Sequence, residues 1–279
     1  MKNSVLKSII HNRFLVNYQP IMNYFEENDL TYNGESKIDG GFTLSFCPSD
    51  DKQTFEKNLK TQPEDWYYRT HPVKYTLNSS GYRTREFDDI DWKESIVMFG
   101  GSDVMGIGVT DEHTISYFLE QLSGRPVINM GIAAASAQTA LHNSIILSDS
   151  EYPTPKAVVY YFTNLRRFHI YGENFIDFIE FNGFLNGKDS LIFSNLCNTV
   201  PFNLINIKMI RNLWKNKTIY YEGSCFGQEK LINKLDTKIC CDLIESEDDW
   251  ARDLSHSGTI STMNFAKQIY EKIKPQLGN

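Results

Sequence analysis

The amino-acid sequence predicts an α/β protein, a three-layer α/β/α domain with a parallel sheet of about five strands and an N-terminal extension. Two observations predict this class. Short apolar runs alternate with longer segments of helical periodicity, and the first apolar runs end in glycine or small polar residues. Strands that alternate with helices form right-handed βαβ units, whose sheet is covered on both faces. A chain of 279 residues is long enough to form one such domain without disulfide bonds.

From residue 94 onward the predicted elements alternate regularly. Five apolar runs predict strands, at residues 95–99, 126–130, 157–162, 218–221 and 238–241. Three amphipathic segments predict helices, at residues 110–122, 136–148 and 259–274. We expect Thr110 or Asp111 to cap the first helix and Gly124 to end it. Ligands of parallel sheets bind beyond the carboxyl ends of the strands, so we expect the functional site there.

Two regions lie outside this regular pattern. Residues 1–75 are irregular and predict an extension that packs on the core domain of residues 76–279. Within that domain, residues 166–215 form an aromatic-rich insertion that includes Phe175, Phe178, Phe181 and Phe184. We expect this insertion to cover the site as a lid or to form an interface of a homo-oligomer. Additional helix packed on the core is the alternative.

Composition excludes several classes of protein. The 28 Lys and Arg against 35 Asp and Glu leave a net charge of -7, which argues against nucleic acid or an anionic membrane as the main partner. No run approaches the roughly 20 apolar residues of a membrane span. His11, Asn12 and Arg13 interrupt what would be the apolar core of a signal peptide, so we expect a soluble, cytoplasmic protein.

Cysteine and histidine spacing predicts no metal site and no cofactor. The five cysteines, which are Cys47, Cys197, Cys225, Cys240 and Cys241, show neither metal-ligand spacing nor an even disulfide framework. We therefore expect buried free thiols in a reducing compartment. The histidines outside the C-terminal motif form no His-x-x-x-His pair, and we expect them to be structural or exposed.

Polar and small residues stand where the predicted strands end. Gly100 and Gly101 close the first strand and lead directly into Ser102 and Asp103. Glycines permit a sharp turn and a close approach of substrate to the backbone. The second strand runs into Gly131, and the third runs into Thr163 and Asn164. Asp253 and His256 follow the last predicted strand.

Taken in order, these segments resemble the motif blocks of the SGNH (GDSL-like) hydrolase family. Residues 99–106 (Phe-Gly-Gly-Ser-Asp-Val-Met-Gly) resemble the first block, and residues 127–131 resemble the strand that enters the second. Asn164 matches the asparagine of the third block, and Asp253 with His256 matches the closing Asp-x-x-His block. The resemblance covers about residues 76–273, is weak between residues 166 and 215, and implies a flavodoxin-like parallel sheet.

The resemblance implies a serine hydrolase site with defined roles. Ser102 would be the nucleophile, His256 the base that takes its proton, and Asp253 the carboxylate that fixes the histidine tautomer. The implied oxyanion donors are the backbone N–H groups of Ser102 and Ala134 and the side-chain amide of Asn164. The alternatives are a turn serine, a solvated histidine, a capping aspartate and a strand-end cap.

Four further residues are candidates for substrate binding: Asp103, Gly131, Arg83 and Arg166. Each has a simpler alternative, namely a first-turn carboxylate, a glycine that lets the strand turn, a structural ion pair and a solvated arginine. Arg166 and Arg167 together would suit an anionic substrate if they faced the cleft. The sequence departs from the family pattern in two places. Ala134 stands where glycine is usual, and Phe162 and Leu165 flank Thr163-Asn164 where the third block usually reads Gly-x-Asn-Asp.

The resemblance implies a serine esterase and favours a short acyl group, acetyl in the first instance, whereas residues 132–135 indicate nothing about the size of the acyl group. Residues 78–83 (Asn-Ser-Ser-Gly-Tyr-Arg) resemble a segment found in carbohydrate-directed members of the family, which favours a carbohydrate ester as substrate. Two alternatives remain open. One is an O-acyltransferase with the same triad, and the other is a non-catalytic glycan-binding protein on the same fold.

Overall fold

The structure is a computed structural model that describes residues 14, 25–29, 40–47, 49–171, 178–181, 199–224, 227–235, 240–246 and 248–278. Its strands are β1 (Phe42–Leu44), β2 (Tyr75–Leu77), β3 (Ile96–Gly100), β4 (Val127–Gly131), β5 (Ala157–Phe162), β6 (Phe168–Tyr171), β7 (Phe178–Phe181), β8 (Ile219–Ser224) and β9 (Cys240–Asp242). Its helices are α1 (Lys52–Thr61), α2 (Ser102–Met105), α3 (Ile115–Ser123), α4 (Ala137–Asp149), α5 (Thr199–Trp214), α6 (Glu229–Ile232) and α7 (Thr259–Leu277). Short 3-10 turns span Tyr67–Arg69, Phe87–Asp89, Trp92–Glu94 and Asp111–His113.

A five-stranded parallel sheet forms the centre of the fold, which confirms the predicted fold class. Its strand order is β4-β3-β5-β8-β9, and every neighbouring pair is parallel. Ile96 at the start of β3 lies opposite Val127 of β4 on one side and Ala157 of β5 on the other. From β3 the chain first adds β4 on one side and then β5 on the other. The crevice of such a sheet lies where this reversal occurs, at the carboxyl ends of β3 and β5.

Apolar side chains on both faces of the sheet bury it between two helix layers. The face under α4 and α5 packs Val97, Phe99, Ile128, Met130, Val158, Tyr160, Ile207, Ile210 and Trp214. The face under α3 and α7 packs Ile96, Met98, Val127, Val159, Tyr161, Ile115, Leu119, Phe265 and Ile269. All six residues of β5 are buried, so its sequence is continuously apolar and does not alternate.

Helix α3 begins later than predicted. Thr114, and not Thr110 or Asp111, caps α3, because its hydroxyl accepts a hydrogen bond from the Tyr117 N–H at 3.2 Å. Residues 111–113 form a separate 3-10 turn. The end of the helix is as predicted, since Gly124 takes φ 64°, a left-handed conformation that glycine adopts without strain.

The described part of residues 1–75 contacts the core near the carboxyl end of β3. β1 pairs with β2 in antiparallel register, and α1 lies between them in sequence. Phe42, Leu44 and Tyr75 share one buried cluster with Met105, the last residue of α2, and with Ile107. The extension therefore supports the segment that connects α2 to α3.

The 166–215 insertion is described in part. β6 and β7 form a two-stranded antiparallel sheet, and α5 packs against α4 with Ile207, Ile210 and Trp214 in the core. Phe175 and Phe184, with the rest of residues 172–177 and 182–198, lie outside the described residues. A lid or an interface thus stays a prediction. No helix within the described ranges is long and apolar enough to cross a membrane.

Candidate active site

The turn that carries Ser102, the candidate nucleophile, joins β3 to α2 at the carboxyl edge of the sheet, and we call it the nucleophile turn. Gly101 has no room for a side chain, since an added Cβ would lie 2.7 Å from the Thr163 Cγ2 atom. Ser102 begins α2, and only 8% of its surface is exposed. Among the described residues, nothing accepts a hydrogen bond from the Ser102 backbone N–H. The turn therefore presents a serine together with a backbone donor that is still unpaired.

A tight turn brings Asp253 and His256 together. Trp250 and Ser257 form an antiparallel bridge, and the Ala251 N–H donates to the His256 carbonyl at 2.9 Å. Within this turn the His256 Nδ1 atom lies 2.6 Å from Asp253 Oδ2. The Asp253 carboxylate is buried, while 18% of the His256 side chain is exposed. The imidazole is thus fixed at Nδ1, and its other nitrogen remains for chemistry.

Each member of this pair shifts the pKa of the other. Burial alone would lower the pKa of His256, but the hydrogen bond and charge of Asp253, with the charge of Asp103, outweigh it and raise the pKa. Burial alone would raise the pKa of Asp253, but its hydrogen bond and attraction to His256 and its bonds from Ser255 lower it. Both shifts favour a charged pair, which is what a base needs once it has taken a proton.

Gly108 ties this turn to the nucleophile turn. The Arg252 N–H donates to the Gly108 carbonyl at 2.9 Å, and an added Cβ on Gly108 would lie 2.7 Å from the Ala251 Cβ atom. Among the described residues no hydrogen bond joins the Ser102 hydroxyl to His256. Catalytic hydrogen bonds are often long in unliganded enzymes and shorten when substrate binds.

Two further candidate donors follow the carboxyl ends of β4 and β5. Ala134 takes φ 63°, a left-handed conformation that glycine adopts freely, and its N–H has no acceptor among the described residues. The Asn164 Oδ1 atom accepts from the Arg166 N–H at 2.9 Å, which leaves the Nδ2 group as a free donor in the described structure. Both side chains are partly exposed.

Asp103 and Gly131 lie close to the nucleophile turn. Burial raises the pKa of Asp103, and the positive charges of His256 and Arg167 partly offset that effect, so the carboxylate lies within electrostatic range of both. At Gly131 an added Cβ would lie 2.3 Å from the Met105 N atom. This glycine lets α2 pack directly on β4, and its role in the structure is close packing.

Arg83 serves the fold in this structure. Its guanidinium donates to Asp111 and to the carbonyls of Lys74, Gly106 and Val109, and its side chain is buried. These partners use its donors, so the residue supports the loop after α2 and leaves no donor for a substrate. The sequence alone placed it among substrate-binding candidates because such contacts join positions that are distant along the chain.

The two arginines after Asn164 differ in environment. Arg166 is exposed, whereas Arg167 is partly buried, with its Nη1 atom 3.4 Å from the Thr163 Oγ1 atom. The sequence-based candidate list named Arg166, but Arg167 lies nearer to the nucleophile turn. Which of two adjacent side chains faces a cleft depends on the turn they belong to, and the sequence carries no signal for it.

The spacing of the cysteines and histidines predicted no metal site. Within the described ranges no group of three His, Cys, Asp or Glu side chains is placed to hold a metal ion. Cys47 and Cys240 are buried free thiols and Cys241 is partly buried, whereas Cys197 and Cys225 lie outside the described residues.

Comparison with known proteins finds similar solved structures. No family model matches the sequence, and no curated protein matches it. A lipolytic protein of the G-D-S-L family from Desulfitobacterium hafniense is 12% identical over 64% of this chain and 99% of its own, with a TM-score of 0.42. A carbohydrate esterase family 2 enzyme with a carbohydrate-binding domain from Corynascus thermopiles (Myceliophthora fergusii) is 14% identical over 67% of each chain, with a TM-score of 0.46.

A carbohydrate acetylesterase family member from Sinorhizobium meliloti is 13% identical over 67% of this chain and 100% of its own, with a TM-score of 0.40. Similarity at these levels concerns the fold alone. The strand order and register of this chain define its fold independently of the comparison.

Proposed function

We propose that this protein is a serine esterase that hydrolyses a short acyl ester, acetyl in the first instance, with Ser102, His256 and Asp253 as its triad. The observation that carries the proposal is the bond of 2.6 Å between His256 Nδ1 and the buried Asp253 carboxylate, in a turn tied to the loop after Ser102. A carboxylate in this position fixes the histidine tautomer and stabilises the imidazolium that forms during the reaction.

The proposed reaction has two halves. The Ser102 Oγ atom attacks the ester carbonyl while His256 takes the hydroxyl proton, and His256 then gives that proton to the departing alcohol. Water, deprotonated by His256, next attacks the acyl-serine, releases the carboxylic acid and restores the Ser102 hydroxyl. The N–H groups of Ser102 and Ala134 and the Asn164 amide would stabilise the oxyanion of both tetrahedral intermediates.

The small acyl group is inferred from the sequence resemblance. The pocket beside Gly101, lined by Ala135, Phe162 and Thr163, measures about 10 Å³, which is room for roughly one water molecule and none for a long acyl chain. His256, Ala134 and Asn164 are partly exposed, so solvent can reach these candidate residues, as hydrolysis requires.

A carbohydrate as the alcohol part is supported by the sequence resemblance of residues 78–83. In this structure the side chains of Asn78 and Arg83 form hydrogen bonds with other parts of the protein. The support for a carbohydrate therefore comes from the sequence resemblance alone.

The experiment is release of 4-nitrophenol from 4-nitrophenyl acetate and butyrate by the purified protein and by Ser102→Ala. We expect hydrolysis of acetate in preference to butyrate, and loss of at least about 10³-fold in kcat in the variant. Ser136→Ala is the matched control, since Ser136 is a buried serine near the same sheet edge that caps α4. Circular dichroism checks that each variant folds.

Activity that persists in Ser102→Ala would overturn the assignment of the nucleophile. Absence of hydrolysis in the wild type with both esters would contradict the proposed esterase function.

A further inference from the structure

The guanidinium of Arg167 lies where three strand ends meet. Its Nη1 atom is 3.4 Å from Thr163 Oγ1 and 3.6 Å from the position of a Cβ added to Gly101, the residue before the candidate nucleophile. Thr163 in turn donates its hydroxyl hydrogen to the Ala135 carbonyl at 3.1 Å, next to the candidate oxyanion donor of Ala134. The arginine therefore lies beside the residue that precedes the candidate nucleophile, and Thr163 connects it to the loop of the candidate oxyanion donor.

Arg167 lacks the acidic partner that comparable arginines have. Within the described residues, four other arginines are buried or partly buried, and each forms an ion pair with a carboxylate; these are Arg83, Arg125, Arg211 and Arg252. Within the described residues, the Arg167 guanidinium bonds only to the Thr163 hydroxyl, and its Nε atom is buried without a partner. A partly buried guanidinium with unused donors is unusual, since buried polar groups are normally paired.

The backbone of Arg167 is held firmly in place. Its N–H donates to the Asn164 carbonyl at 3.0 Å, and its own carbonyl accepts from the Asn203 Nδ2 group of α5 at 2.6 Å. The same Asn203 group also donates to the Leu165 carbonyl at 2.8 Å. The side chain thus extends from a turn anchored to the helix layer, which reduces the entropy lost when it binds a ligand.

Arg167 forms no close ion pair with the acidic groups around it. Its charge and that of Glu245 act in opposite directions on the pKa of Asp103, so the guanidinium lies within electrostatic range of the Asp103 carboxylate. No carboxylate oxygen of the described residues lies within 4.0 Å of the Arg167 guanidinium. Apart from the bond to Thr163, the Nη groups of Arg167 therefore have no protein partner in the described structure.

We infer that Arg167 binds a carboxylate or similar anionic group on the alcohol part of the ester, so that the substrate is the short-chain acyl ester of an acidic hydroxy compound such as an acidic sugar. This inference rests on the proposed esterase function, because a short acyl group leaves the anion to the alcohol part. Guanidinium recognises carboxylates through paired, charge-assisted hydrogen bonds, and its charge would orient the ester over Ser102.

The experiment compares two esters that differ in charge alone, 4-acetoxybenzoate and its neutral methyl ester, methyl 4-acetoxybenzoate. Arg167→Gln should lower kcat/KM for the anionic ester by about tenfold or more, mainly through KM, and change the neutral ester little. Arg167→Lys should retain part of the preference. The ratio between the two esters cancels their different intrinsic reactivities.

Arg166→Gln removes the same charge from the neighbouring position and distinguishes the two arginines. A loss of anion preference in Arg166→Gln and not in Arg167→Gln would assign the anion site to Arg166 and overturn the inference. Equal effects of Arg167→Gln on both esters, with hydrolysis still dependent on Ser102, would also overturn it and leave the esterase proposal intact.

If the wild type hydrolyses neither ester, the esterase proposal fails and binding decides the inference. Ser102→Ala is then titrated with 4-acetoxybenzoate by calorimetry, alone and combined with Arg167→Gln. Binding that weakens about tenfold on loss of Arg167 supports the anion site. Absent binding, or binding that ignores Arg167, overturns it.

Discussion

The carboxylate of Asp50 bonds to the guanidinium of Arg252 at 2.9 Å and 2.7 Å, although the two residues are 202 positions apart in sequence. Both side chains are buried. Arg252 directly precedes Asp253, and its carbonyl accepts from the Asn58 Nδ2 group of α1 at 3.0 Å. The N-terminal extension therefore bonds to the turn that carries the candidate base and its carboxylate.

Asp50→Asn should destabilise the protein strongly. The change leaves the Arg252 guanidinium buried without a compensating charge, which costs about 3 kcal/mol or more in the free energy of unfolding. Urea unfolding followed by circular dichroism measures the loss. Asp51→Asn is the matched control, since exposed Asp51 caps α1 and asparagine caps helices equally well. Equal stability of the two variants would contradict a structural role for the Asp50–Arg252 pair.

Asp253→Asn should move the pH dependence of activity as well as its size. A base must be neutral to accept a proton, so activity falls as pH drops through the pKa of His256, which Asp253 and Asp103 raise above its ordinary 6.5. Loss of the Asp253 charge lowers that pKa, and the acid limb of kcat/KM should shift to lower pH. At the plateau kcat should fall by about 10⁴-fold.

Ser255→Ala is the control for this shift. Ser255 donates to Asp253 Oδ2 at 2.7 Å, and its loss leaves the bond between Asp253 and His256 in place. The acid limb of kcat/KM for Ser255→Ala should therefore lie near that of the wild type. If the acid limb of kcat/KM for Asp253→Asn lay at the same pH as in the wild type, or at a higher pH, Asp253 would not control the base.

Asn164→Asp should lower kcat by about 10²- to 10³-fold with little change in KM. An aspartate keeps the oxygen that accepts from the Arg166 N–H and loses the Nδ2 donor. The variant therefore preserves the turn and removes the proposed oxyanion contact. Steady-state kinetics with 4-nitrophenyl acetate measures both constants. A change confined to KM would assign Asn164 to substrate binding and not to the oxyanion.

Ala134→Gly should keep activity and raise the free energy of unfolding by up to about 1 kcal/mol. Alanine at φ 63° carries left-handed strain of about 1 kcal/mol, which glycine relieves, although the larger unfolded-state entropy of glycine offsets part of the gain. Ala135→Gly is the contrast, because Ala135 is buried and has no positive φ, so the same change should destabilise. Thermal or urea unfolding of both variants shows whether each change raises or lowers the free energy of unfolding.

The sequence predicted the elements whose apolar runs are continuous. The predicted strand at 157–162 coincides with β5, and the predicted strand at 95–99 differs from β3 by one residue at each end. The predicted start of α3 was wrong, because Thr110 and Asp111 are themselves good capping types and stand only three or four residues before Thr114, the observed cap. Local preference cannot rank capping residues that stand so close together.

Contacts between distant segments could not be predicted. The pairing of Asp50 with Arg252 has no local pattern, and neither has the use of Arg83 to bond the loop after α2. The triad residues were named from their resemblance to ordered motif blocks, and their roles stay a proposal. Ala134 takes a left-handed backbone conformation, which explains physically why glycine is usual at this position of the motif that the sequence resembles.

Labelling with a fluorophosphonate tests the central claim most directly. The Ser102 Oγ atom should attack phosphorus and expel fluoride, and mass spectrometry of the digested protein should find the adduct on the peptide that contains Ser102. His256→Ala should slow labelling strongly because the serine loses its base. A protein that stays unlabelled under conditions in which a known serine esterase reacts fully, or an adduct on another residue, would contradict Ser102 as the activated nucleophile.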